Sequence, residues 1–173
     1  ENANAALLVT LNPADFPDSS PLGGMYWQRQ IEQAAFRAGG SNYRAPAQLV
    51  GDFLKKQPSQ ALGAVQPAYR PGVTLCELHE VLPERITSVL EQALPELDKR
   101  LHGFARPDAV LTAPATRSSS PVRILRDETR QSSLRGLYPC GEGAGYAGGI
   151  TSAALDGMLT AEAIINELSN LKG

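Results

Sequence analysis

The sequence predicts a mixed α/β (α+β) fold with a helical middle and strand-bearing ends. Three observations carry this. The middle, from about Gln28 to Arg100, is mainly helical: outside the aperiodic stretch Ser59–Gly72, its apolar residues recur at three- and four-residue spacing, as the buried face of a helix requires. Short apolar runs near both ends, Ala6–Leu11 and Ala109–Thr112, are bounded by turn formers and read as strands. The last periodic segment starts directly after a glycine-rich turn. A chain of 173 residues can bury one sizeable core, and 42% hydrophobic with 20% charged residues suits a globular protein.

Taken in order, Ala6–Leu11 is a compact apolar run ended by Asn12-Pro13, a buried strand by pattern. A chain that opens on a strand is expected to follow an earlier segment. Asp15–Gly24 is a loop of turn formers. Met25–Ala38 is a helix whose core face is Trp27, Ile31, Ala34, Ala35 and Ala38, stopped by Gly39-Gly40. Ala47–Lys56 reads as a second, shorter helix entered through Pro46 and left through Pro58. Ser59–Gly72 is a long connector ending in a turn at Tyr69–Val73. Leu82–Leu101 is the clearest helical region, with Ile86, Val89, Leu90, Ala93, Leu94, Leu97 and Leu101 in one stripe. Pro83 suits its first turn, and Pro95 is expected to break it or to start a second helix at Leu94. Ala109–Thr112 and Val122–Leu125 read as strands, and Leu137–Cys140 as a short apolar strand edged by glycine. The last helix, Ile150–Leu168, places Ile150, Ala154, Met158, Ala161, Ile165 and Leu168 on one apolar face. Ala153, Gly157 and Ala161 are small enough for close packing on a sheet.

Charge and composition exclude several classes. A net charge of −2 without a basic stripe offers nothing to neutralise a nucleic-acid backbone. No apolar run approaches the roughly 18 residues of a membrane span. Cys76 and Cys140 are the two cysteines and form no C-x-x-C, so neither a redox disulfide nor a zinc site is signalled. The expected compartment is the cytoplasm.

The chemistry concentrates in Gly136–Thr151. Five glycines, at positions 141, 143, 145, 148 and 149, fall within nine residues around one carboxylate, Glu142, directly before a helix. Glycines admit close backbone approach, and a helix N-terminus offers unpaired N–H groups and partial positive charge. That combination suits an anionic or polar cofactor. Gly143–Gly148 matches G-x-G-x-x-G, yet a dinucleotide fingerprint needs a second strand with an acidic end about 20 residues on. Only one helix follows here, so the turn is read as closing a nucleotide site from its far side. A tight packing turn is the plainer alternative.

Three blocks carry a specific resemblance: Gly136–Ile150 continued by Ser152–Gly157, Thr116–Asp127, and Leu49–Leu54. The chain resembles bacterial FAD-dependent oxidoreductases described as NAD(FAD)-utilizing dehydrogenases, which are similar to glutathione-reductase-type flavoproteins. The resemblance implies FAD as cofactor, with NAD(P)H as a reductant and a small-molecule substrate. It implies that Glu142 faces the ribityl chain. The Gly148, Gly149 and Ile150 amides would face the pyrimidine edge of the isoalloxazine, with Gly141 and Gly143 in the same turn. Arg117 and Ser119, within Arg117–Arg123, would lie beside the flavin. It further implies that residues 1–105 form a helical substrate or cap segment. Residues 106–173 would then be the C-terminal part of a Rossmann-like FAD-binding domain whose N-terminal half, holding the ADP moiety, is the chain's partner. Ala115 stands where the family tends to carry an acidic residue.

No catalytic residue or metal-ligand spacing is identified. His79 and His102 have no motif around them. Arg123, Arg126, Arg130 and Arg135 read as a solvated, self-paired surface. Asp156 reads as structural, capping or pairing within the last helix. Two other classes stay open: a nucleotide- or anion-binding module without redox chemistry, and a protein-interaction domain.

Overall fold

The computed structural model describes residues 3–170. Its helices are α1 (Gly23–Ala38), α2 (Val50–Phe53), α3 (Glu84–Arg100) and α4 (Ile150–Asn170), with single 3-10 turns at Pro13–Asp15 and Leu78–Glu80. Its strands are β1 (Ala45–Leu49), β2 (Val73–Leu75) and β3 (Val110–Thr112). The fold is mixed α/β. β1 is the central strand, parallel to β2 and antiparallel to β3. The chain divides into two compact units. One comprises the chain up to Asp15 with Trp27–Ala115, and the other comprises Phe16–Tyr26 with the chain from Thr116 on.

The first unit holds the sheet and the apolar core. Ile31, Val50, Phe53, Leu78, Leu82 and Leu94 cluster there, with Trp27, Ile86 and Leu90 packed against them. The α1 face is as its spacing predicts: Ile31 and Ala35 are buried and Trp27, Ala34 and Ala38 half-buried. The helix stops as Gly40 turns to φ +100° and the Ser41 N–H reaches back to the Phe36 carbonyl. Gln48, fully buried in β1, is satisfied at both ends of its amide. Its Nε2 donates to the Gln57 carbonyl at 2.8 Å and its Oε1 accepts from the Leu78 N–H at 2.9 Å.

Several expectations are corrected. Ala47–Lys56 is not one helix: Ala45–Leu49 is strand and helix begins only at Val50. Pro46 restricts Ala45 to extended backbone, and Ala47, with no exposed surface, fits the narrow space between two neighbours. The Val50 and Gly51 amides then bond the Ala109 and Pro107 carbonyls, which start the short helix. Val73–Leu75 is a strand where only a turn was expected. Pro95 lies inside α3 without ending it. It sits on the exposed face, so water can meet the Glu91 carbonyl that lost its partner, while Leu94 anchors the opposite face in the core. Ala6–Leu11, Val122–Leu125 and Leu137–Cys140 form no strand, since no ladder partner faces them among the described residues. In the second unit, the apolar face predicted for the last helix is solvent-exposed, and a different face, mixing Asp156, Thr160 and Glu167 with Ala153, Gly157, Ala163 and Ile164, is packed.

Candidate functional site

The glycine-rich turn belongs wholly to the second unit, and its glycines divide into two kinds. Gly141 and Gly145 adopt φ of +72° and +85°, a left-handed backbone that glycine alone adopts freely. The turn closes on itself through Gly145 N–H to Glu142 O (2.9 Å) and Tyr146 N–H to Gly141 O (3.0 Å). A Cβ at Gly145 would also sit 2.6 Å from the Val122 carbonyl oxygen. The chain's own geometry therefore demands these two. Gly143, Gly148 and Gly149 are different: their φ angles lie outside the left-handed region. An added Cβ would meet nothing within 4 Å at Gly143 and Gly148, and only Ser152 Oγ at 3.4 Å at Gly149.

The turn delivers the chain into α4. Gly149 occupies the N-cap position, its carbonyl accepting from Ala153 N–H at 2.9 Å. Ser152 reaches back to accept from the Gly149 N–H at 3.2 Å, one half of a capping box. A glycine N-cap has no side chain to cap the next amides, so those of Ile150 and Thr151 point outward from the helix end. Glu142, Gly148, Gly149 and Ile150 are all exposed around this end. The Gly149 amide, expected to face a ligand, is engaged by Ser152.

Asp156, one turn and a half into α4, fixes the turn. Its carboxylate accepts from both Arg126 nitrogens, Nη1 at 2.9 Å and Nη2 at 2.7 Å, and from Arg130 Nη1 at 2.7 Å. It also accepts from the Gly141 N–H at 2.9 Å, which ties it to the first glycine of the turn. Arg126 donates to the Pro139 carbonyl as well and lies 3.6 Å from the Tyr146 ring centre. The Arg126 and Asp156 side chains are only 10% and 12% exposed. The Arg126 guanidinium above all, then the Gly141 N–H and Arg130, hold the Asp156 carboxyl far below the usual carboxylate range. The solvated-surface reading thus fails for two of the four arginines: Arg126 and Arg130 are half-buried partners of a residue on the last helix, while Arg123 and Arg135 are exposed. Asp156 is structural, but it pairs across the fold rather than within its helix. Spacing in sequence could not join residues 26 and 30 positions apart.

Arg117 and Ser119 are exposed. The hydroxyl that reaches the turn is Ser120, whose Oγ lies 3.2 Å from the Gly143 carbonyl and 2.8 Å from that of Val122. In the first unit His79 is clasped between two carboxylates, Nδ1 to Glu77 Oε1 at 2.5 Å and Nε2 to Glu91 Oε1 at 2.7 Å, with its ring stacked on Phe53. His79 and Lys56 lower the Glu91 carboxyl. Burial pushes the Cys76 thiol up, away from the thiolate a nucleophile needs. Among the described residues, no group of His, Cys, Asp or Glu is placed to hold a metal, and no helix is long and apolar enough to cross a membrane.

Residues 1–118 match the family "FAD-dependent protein, C-terminal domain-like", which is more than half of the chain. The chain belongs to this family. An uncharacterized protein of Clostridium beijerinckii is 51% identical over 168 residues, covering 96% of this chain and 32% of that protein. The chain therefore spans about a third of the length of the curated relative it matches. Membership in an FAD-dependent family makes the chain part of an FAD-related protein. The glycine-rich turn lies beyond the residues that the family match covers.

Proposed function

We propose that the chain is the C-terminal portion of an FAD-dependent oxidoreductase, a cytoplasmic dehydrogenase, and that its glycine-rich turn and the start of α4 contact the flavin. The carrying observation is the set of open glycines. Gly143, Gly148 and Gly149 satisfy no need of this chain, since a side chain would fit at each. A shelf without side chains beside outward-pointing helix amides fits a flat, electron-rich ring that must approach the backbone closely. The residues present thus fit the cofactor that the family name carries. Glu142, exposed on the same turn, supplies an acceptor for ribityl hydroxyls. The Gly148 and Ile150 amides would donate to the pyrimidine edge, with Gly149 held in place by Ser152. Arg117 and Ser119 would approach from the preceding loop. The Asp156–Arg126–Arg130 network keeps the shelf rigid from below.

Bound FAD supplies the redox step, with NAD(P)H as the reductant and a small molecule as substrate. The chain's part is to orient the ring and to place the positive end of α4 where negative charge gathers on reduction. On this reading residues 1–105 form a substrate or cap segment and 106–173 complete the FAD domain. The N-terminal FAD-binding half supplies the contacts to the ADP moiety.

The test uses the intact polypeptide that carries this sequence. Its visible absorption should show bound flavin. Gly148→Val should abolish that spectrum while leaving the urea unfolding midpoint of the flavin-stripped protein unchanged, because the valine side chain meets open space in the chain itself. Flavin retained by Gly148→Val, or a colourless parent that takes up no added FAD, overturns the reading. Binding of a plain nucleotide by that colourless protein would favour a non-redox module.

A further inference from the structure

The last helix is inside-out with respect to the unit it belongs to. At 3.6 residues per turn, Ile150, Ala154, Met158, Ala161, Ile165 and Leu168 fall in an arc about 80° wide along a helix about 30 Å long. All six are exposed, Ile150 at 93%, Met158 at 63%, Ile165 at 61% and Leu168 at 54%. The face that packs is centred about 120° away and mixes small and apolar residues, Ala153, Gly157, Ala163 and Ile164, with polar ones: Asp156 takes Arg126 and Arg130, Thr160 takes Arg130, and Glu167 takes Gln131 and Tyr138. A helix packed mainly through small residues, hydrogen bonds and the ion pairs of Asp156, with its widest apolar arc bare, has the hydrophobic partner of that arc elsewhere.

We propose that this apolar arc is a docking surface for the part of the flavoprotein that the present chain does not contain, and that it receives an apolar face of that part. The inference rests on the reading that the chain works within a longer flavoprotein. Nearly the whole chain aligns with a third of its relative, so about two thirds of such a protein lie outside it. Ala154 and Ala161 leave room for the covering surface to approach the helix closely. The arc begins at Ile150, beside the open glycines, so whatever covers it also borders the flavin shelf. Docking along α4 would thereby set the distance between the shelf and the residues that hold the rest of the cofactor.

Thiol labelling tests this. In a background of Cys76→Ser and Cys140→Ser, Met158→Cys and Ile165→Cys are each compared with Lys99→Cys, whose parent side chain is 68% exposed. In the intact polypeptide, maleimide should modify the two α4 positions at least about 100-fold more slowly than position 99. In the 173-residue chain alone and dilute, all three should react at similar rates. Fast reaction in the intact polypeptide overturns the proposal. So does slow reaction in the dilute chain alone, which would mean the chain covers the arc itself. Protection that disappears on diluting the intact polypeptide would assign the arc to a second copy and overturn it too. Flavin absorbance read on the same samples separates the two readings. A protected arc in a colourless protein sinks the flavin site alone, and an open arc in a yellow protein sinks the docking alone.

Discussion

Asp156 shows how much one side chain can decide. It gathers Arg126, Arg130 and the Gly141 amide at one point nearly out of solvent. Removing one member of such a group leaves buried charge without compensation, a cost of about 3 kcal/mol. Asp156→Asn should therefore lower the stability of the second unit by about that amount, measured by urea unfolding at neutral pH. The pH dependence has a definite sign. The carboxyl titrates lower in the folded state than in the unfolded chain. Its contribution is thus complete above the ordinary carboxylate range and is lost as pH falls below about 4. The parent should weaken steeply on acidification from pH about 5 to about 2, and Asp156→Asn should weaken less over the same window. An equal slope in both would show that the carboxylate does not supply the linkage. The same residue explains why the sequence reading of Arg126 and Arg130 failed. Arg126 and Arg130 stand next to Asp127 and Glu128, so adjacency favours local pairing, whereas the actual partner lies a whole helix away.

At the scale of an element, periodicity located α1, α3 and α4 within a few residues because each holds its spacing for four turns or more. It misassigned Ala47–Leu49 as the start of the helix that begins at Val50, where the pattern is short and the choice depends on neighbours. A five-residue strand between two others takes its preference from the ladders on either side. Pro95 marks the opposite case, a local breaker overruled by packing. The core contact of Leu94 and the rest of the stripe outweigh one lost backbone bond. Pro95→Ala should restore that bond at an exposed position and raise stability by about 1 kcal/mol. The check is an increased urea midpoint at unchanged m-value; a midpoint at or below that of the parent would show that the proline is needed. Helix α4 adds a third lesson. Its apolar face was legible at once, but legibility of a face does not say which surface it meets.

On the whole-molecule scale the chain forms two compact units with different interiors. The first has an apolar core around a small sheet, and the second is held by ion pairs, hydrogen bonds to backbone groups and one packed helix. Disturbing the second should therefore leave the first intact. In Asp156→Asn, hydrogen exchange at the Cys76 and Ala113 amides, which close the β1 ladders, should match the parent, while exchange at Gly141 and Tyr146 should accelerate by about 100-fold. Accelerated exchange at both sets would mean one cooperative unit. The sequence by itself determined the mixed α/β class, the long helices, the glycine-dense turn and the membership in an FAD-dependent family. Each is a local signal: a period, a composition or a motif read over neighbouring residues. Only the tertiary structure decided which glycines the turn requires and which stand open, that Asp156 anchors the turn, and that the apolar face of α4 lies bare. Those facts depend on atoms far apart in the chain, and contacts across 20 to 30 residues leave no periodic trace in the order of the residues.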